Sequence, residues 1–349
     1  MPLTLTRNAP VAAEADVLPD LLSQLHPPPG VPAKLWDAAF LGPLREFLAR
    51  PGRRFRGHLT HLAWTLVGRS DSPPPELSLV VELLHAGSLI IDDIEDGSLQ
   101  RRGHAALHRV VGVPAALNLG NWLYFWPFEL LKQLDLAPGT ELAATRLCLE
   151  AVRVCHEGQA LDLAARVGDL HPSDVITVCR AISERKTGVL MGMAAELGAT
   201  VAAQDADTIP ALRTFGERVG MALQMLNDLS ELTGTAGPLK HPEDLTHGRV
   251  TWPWAWAAQR LTATQFDGLQ VRGANMATGT GDAAVLATAL LSALGPDPNR
   301  PIHQLLEQAF LDLREAVGDH AELAVVRSEL DRLTRYDSKP LSRTPPAHG

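Results

Sequence analysis

Three aspartates lie within five residues of one another, directly after the apolar run SLII. They are Asp92, Asp93 and Asp96, and His85 precedes Asp92 by seven residues. In a helix this spacing places His85, Asp92 and Asp96 on one face, with Asp93 beside it. Acids so close together are costly unless a cation balances them, and Mg²⁺ commonly bridges one or two carboxylates to substrate phosphates. The acids alone leave two interpretations open: a magnesium site, or a solvated helix end with its acids in water.

Two adjacent arginines follow this acidic cluster within a few residues. Arg101 and Arg102 stand directly before Gly103. Guanidinium groups bind phosphate and carboxylate oxygens in a bidentate geometry. Acids followed so closely by paired arginines suit an anion that is held by metal on one side and by guanidinium on the other. The combination favours the magnesium site.

A second segment repeats the acidic pattern. The stretch MLNDLSE (Met225–Glu231) can be laid over IIDDIED (Ile90–Asp96), since each is an apolar helix whose end carries an oxygen ligand, a carboxylate and a further carboxylate. Two such helices in one bundle predict a shared cavity with acids at its mouth. Polar side chains occupy positions i, i+3, i+4 and i+7 on one face of the second helix. These are Gln224, Asn227, Asp228 and Glu231.

The elements that must position these residues are helices. Long apolar-periodic segments rich in Ala, Leu, Glu and Arg alternate with short Pro/Gly breaks, and β-branched alternation is scarce. We find no convincing strand–turn–strand unit. The sequence therefore predicts an all-α protein, a single-domain bundle of roughly ten helices with a deep central cavity. We expect a flexible N-terminal segment over residues 1–32, the helical domain over 33–336 and a disordered tail over 337–349.

Charge and cysteine content restrict the function and the location. The chain has 31 Lys and Arg against 40 Asp and Glu, a formal net charge of -9, whereas nucleic-acid binding needs clustered basic residues. The three cysteines show no CxxC spacing, which indicates reduced thiols. No charged head precedes an apolar run at the N-terminus, and no stretch of about 18 uncharged apolar residues is present. We expect a cytoplasmic protein without a membrane span or a nucleic-acid partner.

The stretch DDIEDGSLQRRG (Asp92–Gly103) resembles the first aspartate-rich motif of the trans-isoprenyl diphosphate synthases, and its surroundings are most similar to the geranylgeranyl diphosphate synthase branch. The resemblance continues in the family's order from residue 52 to residue 253. No single motif carries the match, which makes it specific. The further motifs are GRRFRG (Gly52–Gly57), GQALDL (Gly158–Leu163), ERKTGVLMGMA (Glu184–Ala194), LQMLNDLSEL (Leu223–Leu232) and EDLTHGRVTWP (Glu243–Pro253).

This resemblance implies a homodimer of the isoprenoid synthase fold that holds an allylic diphosphate through Mg²⁺ between its two acidic helices. The implied metal ligands are Asp92, Asp93, Asp96, Asn227, Asp228 and Glu231. The other residues implied around the allylic diphosphate are Arg101, Lys186, Thr187, Gln224 and Arg249. The residues implied for isopentenyl diphosphate are Arg53, Arg56, His85 and Arg102. The family usually has Lys where Arg53 and Arg249 stand. The residues implied in catalysis are Asp92, Asp93, Asp96, Lys186 and Asp228.

The implied reaction is a prenyl transfer. Magnesium and basic groups would stabilise the charge that develops on the leaving diphosphate, and the allylic cation needs a dry, apolar cavity. Isopentenyl diphosphate would attack through its double bond, and no dedicated protein base for the lost proton is evident. Gly87 and Ser88, five and four positions before Asp92, are small and leave room for a growing chain. We therefore expect a product of about C20 or longer.

The second acidic segment departs from the family, because Asn227 stands where synthases usually have Asp. A neutral amide oxygen binds magnesium more weakly than a carboxylate does. The residue types, although not the spacing, are those of the second motif in class I terpene cyclases. Two alternatives stay open: a cyclase-like enzyme acting on a long prenyl diphosphate, and a non-catalytic partner subunit of a synthase. The retained isopentenyl diphosphate residues favour the synthase, since a cyclase has no need for a second diphosphate pocket.

Overall fold

The computed structural model of the protein describes five stretches of the chain, and regular structure in them is almost entirely helical. This confirms the predicted all-α class. By its contacts the chain divides into two compact units, residues 1–152 with 193–213 and residues 153–192 with 214–349. The predicted tail over 337–349 and the first sixteen residues lie outside the described part. The described stretches are 17–52, 54–202, 208–233, 243–277 and 279–336.

The first unit is built around helix α5. Along α5, Leu77, Val80, Val81 and Leu84 recur at helical spacing and are at most 1% exposed, so they form the apolar stripe that packs into the core. A π-helical turn (Asp37–Leu41) joins α2 to α3. The described helices are α1 (17–23), α2 (Ala33–Trp36), α3 (Gly42–Leu48), α4 (Phe55–Leu66), α5 (Pro75–Glu95), α6 (Leu107–Val111) and α7 (Val113–Gln133), and α8 (Pro138–Ala164) begins in this unit.

Two glycines let α5 and α7 pack with their backbones in close approach. A Cβ added at Gly87 would lie 2.9 Å from the carbonyl oxygen of Gly120, and one added at Gly120 would lie 2.8 Å from the Ile91 side chain. Both distances are shorter than a real Cβ contact, so any larger residue would force the helices apart. This packing fixes the direction of α5 and therefore the position of the acids at its end.

Helix α1 lies within the predicted N-terminal segment, residues 1–32. Its leucines Leu18, Leu21 and Leu22 are buried, as the i, i+3, i+4 spacing of an amphipathic helix requires. One further difference concerns strands. The expectation of no strand–turn–strand unit is wrong at one place, where β1 (Gln100–Arg101) pairs antiparallel with β2 (His104–Ala105).

In the second unit, helix α13 packs against α9 and α15. A π-helical turn (Glu184–Gly188) joins α9 to α10 without a break. None of the helices in the described part of the chain has the length and hydrophobicity that a membrane span needs. Among the remaining described helices, α10 and α11 have residues in both units. These helices are α9 (Pro172–Ser183), α10 (Val189–Ala202), α11 (Ile209–Thr233), α12 (Glu243–Thr246), α13 (Trp252–Arg260), α14 (Ala263–Ala277), α15 (Ala283–Leu294), α16 (Arg300–Val317) and α17 (Leu323–Tyr336).

Candidate active site

The first acidic motif forms the last turn of α5. The helix ends at Gly97, whose φ of +65° suits glycine, with Gly97 N bonded to Ile94 O at 3.3 Å and Ser98 N bonded to Asp93 O at 3.0 Å. This pair of bonds is a Schellman motif. Carboxylates at a helix C-terminus face the negative end of the helix dipole, which costs about 0.3–1 kcal/mol for each exposed charge. The position of the three acids is therefore unfavourable without a cation nearby.

Arg101 supplies a positive charge to this acidic turn. Its Nε donates to Asp93 Oδ1 at 2.8 Å, and its Nη2 lies 3.3 Å from Asp92 Oδ2. Asp93 is fully buried, and burial raises the pKa of its carboxyl group while the bond to Arg101 opposes that shift. The second oxygen, Asp93 Oδ2, is buried and has no hydrogen-bond partner among the described residues. One carboxylate oxygen thus keeps its full capacity to bind a cation.

The donor set of this turn fits a magnesium ion. Asp92, Asp93 and Asp96 offer hard carboxylate oxygens within one helical turn, and the buried Asp93 Oδ2 has no bond that the ion would have to replace. Among the described residues no three His, Cys, Asp or Glu side chains converge closely enough to hold a metal by themselves. Mg²⁺ keeps several waters and takes one or two carboxylates plus substrate phosphates, so two of these aspartates would suffice as its protein ligands.

The hairpin β1–β2 directs the two adjacent arginines. Its central residues Arg102 and Gly103 have φ angles of +55° and +79°, the signs that a type I′ hairpin turn requires at both positions. Glycine adopts such a φ freely, whereas a residue with a side chain is strained there. Arg101 consequently turns back to the acids of α5, while the Arg102 guanidinium lies against Gly52 and its Nη1 is 3.5 Å from the Arg50 carbonyl oxygen.

A basic pocket lies in the same unit, with an empty volume of about 470 Å³ that opens to solvent. Apolar side chains of α1, α3 and α5 form the rest of its wall. Arg54, directly before α4, is a second arginine with a positive φ, +43°. Three arginines therefore converge on the pocket, where Glu82 is the one carboxylate among the described lining residues and Arg50 is paired with Glu46 beside it. Its polar lining residues are Arg50, Arg54, Glu82, His85 and Arg102.

His85 is the neutral member of this pocket. Burial and the positive charges of Arg56, Arg102 and Arg101 hold the pKa of its imidazole well below the usual range. At neutral pH the ring therefore donates and accepts hydrogen bonds without adding a charge. Glu82 Oε1 accepts a 2.9 Å bond from Gly57 N at the start of α4, and the negative charge of Glu82 acts to raise the pKa of Arg102 against the effect of burial.

In the second unit the motif ERKTG forms the π-helical turn, a feature that is often found at functional sites. Two glycines hold this turn in place. A Cβ at Gly158 of α8 would lie 2.5 Å from the Lys186 nitrogen, and one at Gly220 of α11 would lie 2.9 Å from the Thr187 carbonyl oxygen. The close approach explains why the GQALDL motif begins with glycine.

Lys186 and Arg249 meet at one carboxylate, that of Asp162. Lys186 Nζ lies 2.7 Å from Asp162 Oδ2, and Arg249 Nη1 lies 3.6 Å from the same oxygen. Arg249 is only 5% exposed, and Asp162 provides a negative charge beside its buried guanidinium. Asp162 was not among the predicted site residues, although it lies inside the GQALDL motif. No local spacing links Asp162 to Lys186 or to Arg249, and the pairing appears only in the folded chain.

A hydrogen-bonded chain connects the π-helical turn to the second acidic motif. Thr187 Oγ1 donates to Gln224 Oε1 at 2.8 Å, and Gln224 Nε2 donates to Asp228 Oδ1 at 2.8 Å. Asp228 Oδ2 accepts from the backbone nitrogen of Trp252 at 2.9 Å, so the carboxylate caps the first turn of α13. Burial raises the pKa of Asp228 to about 7, and the negative charges of Asp162 and Glu231 add to the effect of burial.

The other members of the second motif differ in exposure. Asn227 is exposed, whereas Glu231 is half-buried and its Oε1 accepts a 2.9 Å bond from Asp244 N. Burial and the charges of Glu231 and Asp228 raise the pKa of Asp244 well above its usual range. Asp228, Glu231 and Asp244 line a small pocket with an empty volume of about 220 Å³. Asp244 is thus a further acid of this region, and it was not among the predicted site residues.

Comparisons with known proteins place this chain in a family. The model of the polyprenyl synthetase family matches residues 37–288. The chain belongs to the polyprenyl synthetase family. A solved structure of a geranylgeranyl pyrophosphate synthase superposes with a TM-score of 0.78 at 17% identity, covering 95% of this chain and 99% of that one, which shows a shared fold.

Two relatives of this polyprenyl synthetase family member carry different names. A geranylgeranyl pyrophosphate synthase of Geoglobus acetivorans is 30% identical over 192 residues, which are 54% of this chain and 59% of that protein. A terpene synthase of Matsumurasca onukii is 29% identical over 224 residues, which are 62% of this chain and 69% of that protein. The chain thus spans about three fifths of the length of the first of these relatives.

Three predicted positions of this chain need separate mention. Arg53 lies outside the described residues. Gly87 is buried against α7, and this packing accounts for the glycine without a substrate cavity. Ser88 is half-buried, and its Oγ donates to His85 O at 2.8 Å. The effect of both positions on chain length stays a prediction.

Proposed function

We propose that this protein condenses isopentenyl diphosphate with an allylic diphosphate to form a trans-prenyl diphosphate of about C20. One observation supports this choice above others: the first unit has an acidic turn with Arg101 and, apart from it, a basic pocket. The acidic turn of α5 with Arg101 suits a diphosphate that arrives with metal. The basic pocket, where Arg50, Arg54 and Arg102 face one carboxylate, suits a diphosphate that arrives without metal. An enzyme with a single diphosphate substrate has no use for the second place.

The residues around the first diphosphate prepare its departure. Magnesium, held by Asp92, Asp93 and Asp96 and, in the second unit, by Asn227, Asp228 or Glu231, would supply positive charge to the leaving diphosphate. Arg101 is already fixed beside those acids and exchanges a carboxylate for a phosphate oxygen when the substrate binds. Lys186 and Arg249, both paired with Asp162, make the same exchange, with Thr187 and Gln224 as neutral hydrogen-bonding neighbours.

The second substrate supplies the nucleophile. Arg102, Arg56, Arg53 and the neutral His85 orient isopentenyl diphosphate so that its double bond meets the allylic carbon. The bond between that carbon and the diphosphate oxygen breaks, a carbon–carbon bond forms, and one proton leaves the new cation for the departed diphosphate. Exclusion of water protects the cation from hydrolysis. The shared cavity between the two acidic helix ends, which this scheme needs, stays a prediction.

A second candidate is supported by Asn227 and by the relative named a terpene synthase. In that case a long prenyl diphosphate would ionise without an acceptor, and Asn227 would be a functional part of the second motif. A non-catalytic partner subunit is the third candidate, in which the diphosphate sites bind and regulate only.

A homodimer and a cytoplasmic location are parts of the same proposal. The stretch Val113–Phe128 of α7 contains no charged residue, and Val113, Leu117 and Phe125 are 48%, 42% and 69% exposed. Such a face suits contact with a second copy of the chain. Cys148, Cys155 and Cys179 are free thiols, which suits a reducing compartment.

Matched reactions separate the candidates. Purified protein with Mg²⁺ and an allylic diphosphate is incubated with and without isopentenyl diphosphate, and the extracts are analysed by mass spectrometry. We expect a longer prenyl diphosphate only when isopentenyl diphosphate is present, and no product in excess EDTA. A hydrocarbon or alcohol from geranylgeranyl diphosphate alone would establish the cyclase. Activity that appears only beside another synthase would establish the partner subunit.

A further inference from the structure

Arg50 is a buried arginine whose guanidinium is bonded on one side only. Its side chain is 2% exposed, Nε and Nη2 donate to Glu46 at 3.2 and 3.0 Å, and its carbon Cζ lies 5.0 Å from the centroid of the Phe47 ring. Its Nη1 is buried and has no hydrogen-bond partner among the described residues. An unsatisfied donor on a buried charged group is costly, so such a group is retained where something else uses it.

The position of Arg50 indicates what that partner is. Arg50 lines the basic pocket, where Arg54 and Arg102 are also found and where Glu82 is the one carboxylate among the described lining residues. Glu46 and the Phe47 ring fix the guanidinium in one orientation, and Nη1 is the nitrogen of this group without an acceptor among the described residues. A planar guanidinium held in this way binds phosphate oxygens at little further loss of entropy.

From this geometry we infer that Arg50 is a substrate-binding residue of the basic pocket, and that its Nη1 donates to the diphosphate of isopentenyl diphosphate. This inference rests on the proposed function, and it adds to the residues implied by the family resemblance, none of which precedes Arg53. Arg50 touches the substrate only through its diphosphate, so its loss weakens binding of one substrate and leaves the reacting carbons in place.

The test separates the two substrates. Arg50→Gln keeps a polar side chain of similar length. Arg50→Lys keeps the positive charge but loses the planar guanidinium and its paired N–H donors. We measure KM for isopentenyl diphosphate at saturating allylic diphosphate, KM for the allylic diphosphate at saturating isopentenyl diphosphate, and the Kd of isopentenyl diphosphate without Mg²⁺ by calorimetry. We expect Arg50→Gln to raise KM and Kd for isopentenyl diphosphate about tenfold or more, with KM for the allylic substrate changed less than about threefold.

Two further variants distinguish binding from a structural role. Arg45→Gln removes an exposed arginine of α3, 58% exposed in its side chain, and is expected to keep both KM values. Glu46→Gln weakens the contact that orients Arg50, so it is expected to raise KM for isopentenyl diphosphate by less than Arg50→Gln does and to leave KM for the allylic substrate unchanged. Circular dichroism checks folding. If Arg50→Gln does not fold, Arg50→Lys carries the test, with an expected rise in KM of about threefold or more. Unchanged KM for isopentenyl diphosphate in Arg50→Gln, an equal change for both substrates, or the same change in Arg45→Gln would overturn the inference.

An inorganic pyrophosphate titration separates failure of this inference from failure of the proposed function. If wild-type protein performs no elongation but binds pyrophosphate without Mg²⁺, and Arg50→Gln weakens that binding about tenfold, the role of Arg50 stands while the proposed reaction does not. If elongation occurs and Arg50→Gln behaves like the wild type, the reaction stands and the role of Arg50 is wrong. Wild-type protein that binds neither diphosphate contradicts both.

Discussion

The two acidic motifs of this chain look alike in sequence and differ in how their carboxylates are used. At the end of α5, Asp93 is bonded through one oxygen to Arg101, and its other oxygen has no partner among the described residues. In α11, Asp228 uses both oxygens within the protein, one for Gln224 and one for the backbone nitrogen of Trp252. The first carboxylate is prepared for a cation, whereas the second holds helix α13 to α11.

The difference suggests how the chain tolerates Asn227. A motif whose buried acid already serves as a helix cap contributes less to metal binding than a motif with an unsatisfied carboxylate oxygen. The exposed amide of Asn227 then weakens a site that is not the main one. On this view the first motif carries most of the catalytic charge stabilisation, and the second motif positions the segment that includes Arg249 and Trp252. Four predictions test this comparison, in order of expected effect.

The largest effect is expected in the first motif. Asp93→Ala and Asp92→Ala should each lower kcat by at least about 10²-fold, because they remove carboxylates that would hold the Mg²⁺ whose positive charge stabilises the departing diphosphate. Asp93→Asn keeps the shape of the side chain, and its kcat should fall nearly as far. An amide cannot replace the negative charge beside Arg101. Steady-state assays at saturating substrates measure the change.

Glu95→Gln is the matched control for these variants, because Glu95 is an exposed acid in the same turn. It should keep kcat within about threefold of the wild type. If Asp93→Asn retained full activity, the first motif would not be the dominant acidic set, and the comparison would be reversed.

The second prediction concerns the stability that Asp228 contributes. Its pKa is raised to about 7 in the folded protein, against 3.8 as the ordinary value. Between those values the folded state binds more protons than the unfolded state, so the free energy of unfolding falls as pH rises from about 4 to about 7 and levels off above. Asp228→Asn lacks this titration. In metal-free urea unfolding, the stability of Asp228→Asn relative to wild type should rise by about 2 kcal/mol between pH 5.5 and 7.5.

The control for this titration is Glu150→Gln, which removes an exposed acid of α8. Its stability relative to wild type should change little over the same pH range. If the difference in the free energy of unfolding between Asp228→Asn and wild type did not change with pH, Asp228 would be charged over the whole range. Its carboxylate would then be available to a cation, as that of Asp93 is. That result would remove the contrast between the two motifs.

The sequence predicted the helices and the acidic clusters because both depend on local spacing. Residues His85, Asp92 and Asp96 share a face by helical geometry alone, and Gly97 ends the helix through its own backbone freedom. The partners of these residues could not be predicted in the same way. Arg101 reaches Asp93 only because the hairpin turn gives Arg102 and Gly103 positive φ angles.

Long-range contacts explain the remaining differences between sequence and structure. Gly87 looked like a position beside a cavity, but its Cβ direction is filled by Gly120 of α7, thirty-three residues away. Asp162 had no assigned role, although Lys186 and Arg249 both depend on it. In each case the local pattern identified the residue or its motif, and only packing between distant segments showed what it contacts.

The third prediction concerns Ser88, which lies in α5 four residues before the first motif. Ser88→Phe should shorten the product by one or more five-carbon units, because a ring at this half-buried position occupies the space of a growing chain. Mass spectrometry of the extracted products measures the chain length. Ser88→Ala should leave it unchanged. The neighbouring Gly87 is unsuitable for this test, since even a Cβ there would meet Gly120 O at 2.9 Å. The same product length from Ser88→Phe would mean that the chain grows along another surface.

The smallest effect is expected at the position that prompted the comparison. Asn227→Asp restores an acid at the first position of the second motif with little change in shape, and its exposed side chain can be charged without cost to packing. If the second motif is a weak auxiliary metal site, the variant should hold or raise kcat by at most a few-fold and lower the half-saturating Mg²⁺ concentration by about two- to fivefold. Asn275→Asp, the same change at an exposed position of α14, controls for added charge and should leave the Mg²⁺ requirement unchanged. Loss of elongation in Asn227→Asp, with a cyclised product in its place or with none, would show that the amide itself is needed. The second motif would then be a specialised site, and the first motif would not be the main determinant of the reaction.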